Sequence, residues 1–346
     1  VRDLALFYPE GHAAHAEEGH SESPHRVEAV RQALDAAGWW RASALLDPLV
    51  VPDEVLQAVH SVDYLKYLED ACRVGERLDG DTYVTPASWG LAQRAAGGAA
   101  AVAQAVWSGE AWRGFALTRP PGHHATRNRG MGFCLLNNVA IAAESLFQQS
   151  AGPACLAIID LDLHHGNGTQ DIFWRRKDVL FISTHQSPLY PGSGSLDERG
   201  EGDGAGYTVN LPLPAGSGDA AFRATMKTVI VPLLDRYQPE ILLVSYGFDA
   251  HWGDPLGSLQ LSADGYGHLI ASLADWADAH CQGKIALFLE GGYNLKAASA
   301  CSRAVVAALL GRAWQDPLGP SPDTETQAWQ SLLIQAQMIF GLAESL

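Results

Sequence analysis

Seven short β-rich runs, at 4–8, 114–118, 155–160, 179–184, 207–211, 241–245 and 285–290, most of them apolar on both faces, constrain the fold of this chain more than any other feature. A strand with one wet face alternates apolar and polar residues. A run that is apolar on both faces must be covered on both, as parallel strands are when helices sandwich them. Helical patterns lie between the runs: an alanine-rich stretch at 88–107 and further stretches at 219–237 and 263–280. A Pro/Ser/Gly break at 317–323 precedes a last amphipathic segment at 327–342. This alternation predicts an α/β fold, a mostly parallel central sheet with helices on both faces. We expect residues 1–346 to form one catalytic domain, with 316–346 as a C-terminal extension packed on it. With 47% hydrophobic residues over 346 positions, there is enough apolar material for such a core.

Composition excludes some functions. Thirty-nine acidic against 23 basic residues give a net charge of -16, which repels nucleic acid and favours cationic ligands. The five cysteines are odd in number, far apart and never in a CxxC pair, so neither a disulfide framework nor a thiolate zinc cluster is expected. Cys134 and Cys155 sit in apolar runs and are expected to be buried thiols. There is no basic-then-apolar leader and no run near the ~18 apolar residues of a membrane span, so no membrane partner is expected and a reducing cytoplasm is the expected compartment.

Polar residues gather in four segments, 120–138, 160–169, 247–255 and 290–294, each of which follows an expected strand. In open parallel sheets the ligand crevice lies beyond the carboxyl ends of the strands. Asp160, Asp162 and His164 alternate with leucines, so in extended chain they share one face. Zinc accepts oxygen and nitrogen ligands and leaves a position open for water in catalytic sites. Asp254, in Gly253-Asp254-Pro255, is the expected third ligand. A lone DxD or GDP reads more often as a loop or cap; the histidine pair upstream tips this set toward a metal. Two carboxylates neutralise a divalent ion, so it acidifies water less and a separate general base is needed. His123 and His124, after Pro120-Pro121-Gly122, are the candidates.

Five ordered motifs carry a resemblance: RPPGHHA (119–125), GFCLLNNVA (132–140), DLDLHHGNGTQ (160–170), GFDAHWGDPLG (247–257) and LEGGYN (289–294). Together with HSESPHR at 20–26 they resemble the histone deacetylase superfamily, including bacterial histone-deacetylase-like amidohydrolases and acetylpolyamine amidohydrolases. LEGGYN and the asparagine of HHGNG are most similar to its class II branch. The likeness extends to about Gly311 and implies the arginase/deacetylase-type fold and hydrolysis of N-ε-acetyl-lysine amides. It implies one zinc per chain on Asp162, His164 and Asp254. His124 would be the general base and His123 its electrostatic partner, oriented by Asn167 and Asp160 respectively. Asparagine carries no charge to stabilise an imidazolium, so His124 should stay neutral. Tyr293 would donate to the developing oxyanion. The slot for the methylenes would be lined by Gly132, Phe133 and Tyr190, with Leu261 near the mouth, Gly292 in the Tyr293 loop and Asp81 on the rim. Potassium would bind around Asp160, Asp162 and His164 with Ser183 and Thr184, and at a second site through Phe173, Arg176, Val179 and Tyr207.

Three other readings stand beside this one. A two-manganese ureohydrolase of the arginase type needs more metal carboxylates. An acylated polyamine would replace acyl-lysine peptides or proteins as substrate if acidic groups lined the mouth. A catalytically lost acyl-lysine binding module would have unfilled catalytic positions. The stretch 255–262 contains no acid, and Leu256 and Leu261 are expected at the mouth, which favours peptides; Glu17, Glu18 and Glu22 in the first loop are the countervailing charges. His12, His15 and His20 in the first loop read either as a rim or secondary metal patch or, the preferred expectation, as solvated loop histidines.

Overall fold

The computed structural model describes residues 2–342. The expected residues 343–346 of the C-terminal extension lie outside that range. Eight strands form one sheet: β1 (Arg2–Phe7), β2 (Ala44–Leu45), β3 (Ala111–Ala116), β4 (Leu156–Asp160), β5 (Val179–Gln186), β6 (Thr208–Leu213), β7 (Leu242–Tyr246) and β8 (Ile285–Leu289). Their order is β2-β1-β3-β8-β7-β4-β5-β6, and every adjacent pair is parallel. The chain has the α/β architecture that its apolar runs predict. The two-residue β2 at the edge has too little apolar signal to be read from sequence.

Successive residues of each central strand enter opposite cores. In β4, Leu156 and Ile158 face one core, while Ala157 and Ile159 face the other; Ala286 and Phe288 of β8 oppose Ile285, Leu287 and Leu289 in the same way. This two-sided burial is why the runs are unbroken. The helix Ser88–Trp107 covers one face. Its Gly98 sits so close to the Phe7 ring that any Cβ there would clash, which accounts for glycine in a helix interior. The opposite face is covered by Ala263–His280 and Leu295–Leu309.

The stretch expected as one helix at 219–237 is interrupted by a π-helical turn, Met226–Ile230, between Asp219–Thr225 and Val231–Tyr237. Pro232 lacks the amide hydrogen that a regular helix needs there, so the ladder shifts. The last helix, Trp329–Ile339, is shorter than expected and buries Leu333 and Ala336. The preceding segment is docked by polar contacts: Glu325 accepts from the amides of Gly218, Ala220 and Ala221, and Trp252 Nε1 donates to the Gly319 carbonyl. No helix among the described residues is long and apolar enough to cross a membrane. Cys134 is buried as expected, but Cys155 is only half-buried, because it precedes β4 at the edge of the core.

Candidate active site

The loops after β3, β4, β5, β7 and β8 meet at the carboxyl ends of the strands. They enclose a cleft of about 630 Å³ lined by Asp79, Gly80, Asp81, His124, Gly132, Phe133, His164, Leu189, Tyr190, Leu256 and Tyr293. At its floor, ligand atoms of Asp162, His164 and Asp249 all lie within 4.8 Å of one another. His164 Nδ1 is 3.2 Å from Asp162 Oδ1 and 3.2 Å from Asp249 Oδ2.

Asp254 is therefore not the third member, contrary to the reading from sequence. Its Oδ2 accepts from the amides of Tyr293 (2.7 Å) and Asn294 (3.0 Å), and its Oδ1 accepts from the amide of Leu256 (3.1 Å). The reason lies in the pairing of β4 with β7, which sets Asp160 opposite Ser245. Asp162 and Asp249 leave these neighbouring strand ends after two and three residues. Asp254 comes five residues later, where the chain has already turned toward the Tyr293 loop.

The triad suits a cation. Asp249 Oδ2 is buried and has no hydrogen-bond partner. Burial, then the charge of Asp162, pushes Asp249 above the ordinary carboxylate range. Burial also opposes charge on His164, yet Asp162 and Asp249 outweigh it and raise the imidazole to about 9. Two buried carboxylates thus draw positive charge to one point, and a divalent ion with oxygen and nitrogen preferences meets that demand.

The two histidines divide by environment. His123 Nδ1 donates to Asp160 Oδ2 at 3.0 Å. Burial opposes its charge, but Asp160 and Asp162 overcome this and raise it to about 10. His124 Nδ1 meets Asn167 Oδ1 at 2.7 Å. Burial, then the neighbouring His123 and His164, lowers His124 well below the usual imidazole range. An amide oxygen only accepts, so Nδ1 of His124 carries the proton and Nε2 keeps its lone pair. The rings of the two histidines are 4.0 Å apart.

Tyr293 follows Gly291 and Gly292. Gly292 has φ +108°, and a Cβ there would meet the Phe248 backbone and ring below 3 Å. The Tyr293 ring is held between the Arg26 guanidinium, 5.0 Å away, and the edge of Phe133, 5.8 Å away. Burial raises its hydroxyl well above the usual range despite Arg26, so it remains a donor. Phe133 occupies a positive φ of 68° beside Gly132, with its amide held by Thr82 Oγ1 at 3.1 Å. Tyr190 stands edge-on to His124 at 5.2 Å.

Two expected slot residues are placed elsewhere. Leu261 is fully buried, bridged to His251 just before the helix that starts at Ala263, so it belongs to the core and not to the mouth. Gly292 lies behind Tyr293, with its carbonyl accepting from Arg26 Nε at 2.6 Å, and shapes the loop without lining the cleft. Asp81 is on the rim as expected, and Asp79 and Leu189, unnoticed in the sequence, join it. Of the potassium residues, Thr184 Oγ1 donates to the Asp160 carbonyl at 3.3 Å, and Ser183 Oγ bonds His185 Nδ1. Phe173 closes a short helix, Arg176 follows it, Val179 opens β5 and Tyr207 precedes β6.

The first loop is not solvated as expected. His12 and His15 are buried, because their carbonyls accept from Arg119 at 2.6 Å each. Glu22 is fully buried between Arg119 Nε (2.7 Å) and Arg26 Nη1 (3.0 Å), so it supplies no charge to the mouth. His20, half-buried, packs edge-on to Phe133 and bonds the Asp81 carbonyl at 3.0 Å.

Comparison with known proteins agrees with this geometry. The family described as "Histone deacetylase domain" matches residues 20–309. A "Probable deacetylase" of Archaeoglobus fulgidus is 42% identical over 77% of this chain and 74% of its own length. A "Histone deacetylase-like amidohydrolase" of Pseudomonas aeruginosa is 38% identical over 87% of this chain and 80% of its own. The crystal structure of the HDA15 HD domain superposes with a TM-score of 0.89 at 35% identity, covering 98% of this chain and 94% of that one. A match over most of the length, on a sheet whose strand ends hold these motifs, leaves one assignment: the chain belongs to the histone deacetylase family and is a deacetylase-type hydrolase of amides.

Proposed function

We propose that the chain is a zinc-dependent deacylase that hydrolyses the side-chain amide of N-ε-acetyl-lysine. The observation that carries this reading is the convergence on one apolar-walled cleft of a neutral histidine, a cation-seeking Asp162/His164/Asp249 triad and a protonated tyrosine. Zinc held by that triad would polarise the amide carbonyl and acidify water. His124 Nε2 takes the proton from the attacking water, and Asn167 fixes the tautomer that makes this possible. Tyr293 donates to the oxygen on which charge develops, with Arg26 holding its ring. His123, kept charged by Asp160, supplies positive potential beside His124 and favours protonation of the departing amine. Phe133 and Tyr190 form the walls for the lysine methylenes. The reading includes structural potassium at the two sets of residues given by the resemblance, and acyl-lysine peptides or proteins as partners.

A second reading, an acetylpolyamine amidohydrolase, is favoured by one observation: Asp79 and Asp81 both stand at the cleft mouth, whereas Leu261 does not. A second ammonium on the substrate would meet those carboxylates. Leu256 remains an apolar mouth residue and suits a peptide. The test is kcat/KM for an acetyl-lysine peptide against N-acetylputrescine and N8-acetylspermidine at one ionic strength, in wild type and Asp81→Asn. We expect the peptide to be preferred; a preference for acetylpolyamines of about tenfold or more, lost in Asp81→Asn, would establish the second reading.

A further inference from the structure

A second polar cluster lies beside the cleft and takes no part in the steps above. It joins His165, Gln170, His185, Ser193, Glu198 and Asn210. Glu198 Oε1 accepts from the amides of Gly194 and Ser195, at 3.0 Å each, and Oε2 accepts from Gln170 Nε2 at 2.6 Å. Gln170 Oε1 in turn accepts from His165 Nε2 (3.1 Å) and Asn210 Nδ2 (2.7 Å). Asn210 also reaches the Glu198 carbonyl at 3.0 Å. From the other side, Ser193 Oγ bonds His165 Nδ1 at 2.8 Å, and His185 Nε2 donates to the Gly194 carbonyl at 3.0 Å. Gly194 has φ +88°, and a Cβ there would come within 2.7 Å of both imidazoles, so the turn fits only glycine.

These bonds converge on the turn 193–195. Three residues before it stands Tyr190, a wall of the cleft, followed by a Gly192 amide bonded to the Leu189 carbonyl at 2.9 Å. Tyr190 is 43% exposed, and its ring packs edge-on to His124 and His164 on its inner side only.

We propose that Glu198 is a positioning residue that sets the width of the acyl slot, tying the turn 193–195 to Gln170 and so holding Tyr190 over His124. The proposal rests on the deacylase reading for its kinetic consequence, but not for its structural one. The direction of every bond matters. Glu198 acts only as acceptor, and Gln170 gives one donor to it while its oxygen takes two. In Glu198→Gln the new NH₂ faces a donor whichever way the amide turns, the Gln170 NH₂ or the amides of Gly194 and Ser195, so at least one bond of the chain must break. In the exchange Glu198→Gln with Gln170→Glu, the new glutamine donates to the new glutamate, whose other oxygen still accepts from His165 and Asn210. The single variant breaks the clamp and the double variant restores it.

The experiment uses the metal-loaded enzyme and two readouts. One is steady-state kinetics on lysine peptides carrying acyl groups of increasing length; the other is amide hydrogen exchange of the segment 187–201. We expect Glu198→Gln to raise KM for the acetyl peptide about tenfold, the factor for one lost charge-assisted hydrogen bond, while kcat stays within about twofold. Discrimination against longer acyl groups should weaken, and exchange at 189–195 should quicken. The exchange variant should recover both. Unchanged KM and exchange in Glu198→Gln, a joint fall of kcat and metal content, or no recovery in the double variant would each overturn the proposal. If wild type hydrolyses no acyl-lysine amide, the deacylase reading fails separately, and the exchange data alone decide the clamp.

Discussion

Replacing Asp254 should cost activity without emptying the metal site, whereas replacing Asp249 should empty it. In Asp254→Ala three backbone amides, those of Leu256, Tyr293 and Asn294, lose a charged acceptor. Bonds to a charged group contribute about 1.5–3 kcal/mol each, and water replaces part of that at half-exposed positions. A loss of about 2–4 kcal/mol of stability follows. The larger effect is on Tyr293, whose backbone Asp254 holds; a displacement near ~1 Å costs about 10²-fold in rate. In Asp249→Ala or Asp249→Asn, one of three charge-matched ligand groups disappears. Affinity should fall by more than the ~10–100-fold that an outer partner costs. Purified variants would be dialysed against a weak chelator, their metal counted by plasma mass spectrometry, and their folding checked by thermal melts. An Asp254→Ala protein that is folded but metal-free, beside an Asp249→Asn protein that keeps its metal, would refute the assignment.

Tyr293→Phe should lower kcat by about 10²–10³ while metal content and hydroxamate binding persist; near-normal kcat would remove Tyr293 from the chemistry. Glu22 makes stability depend on acid. Burial opposes its charge, but Arg119 and Arg26 hold it at about 2, against an ordinary 4.5. A depressed carboxyl contributes in full above its unfolded value and loses that contribution as pH falls through the folded one, so about 3 kcal/mol should vanish between pH ~4.5 and ~2. Glu22→Gln strands two buried guanidiniums and should cost about 3–5 kcal/mol at neutral pH while flattening the acid limb of the Tm–pH curve. An unchanged acid limb in that variant would show that Glu22 is not its source.

How far the sequence could be read depended on whether a signal was local. Strands such as β4 and β8 announce themselves because burial on both faces demands an unbroken apolar run, and the helices Ser88–Trp107 and Ala263–His280 fall where their patterns place them. His123, His124, Asp160, Asn167 and Tyr293 were named by the motifs and the resemblance they carry, and the structure brings them together at the strand ends. The third member of the triad was not so named. Asp249 and Asp254 follow the same strand five positions apart, and choosing between them requires knowing that β7 lies beside β4. That neighbour relation bridges distant parts of the chain and leaves no local trace. Leu261 failed for a similar reason, since an apolar residue in a polar loop fits a mouth or a core equally well until its partners are known. The burial of Glu22 depends on Arg119, 97 positions away. Asp79 and Leu189 carry no motif at all, and only the closing of loops around the cleft brings them in.

In the proposed mechanism, one divalent metal on the Asp162/His164/Asp249 triad serves amide hydrolysis together with His124 and Tyr293. One preparation tests it most directly: count metal per chain and measure turnover of an acetyl-lysine amide, before chelation, after it, and after zinc is returned. We expect about one zinc per chain, turnover abolished with the metal and restored with it. Full turnover in metal-free protein, or two metals per chain both needed for activity, would contradict it.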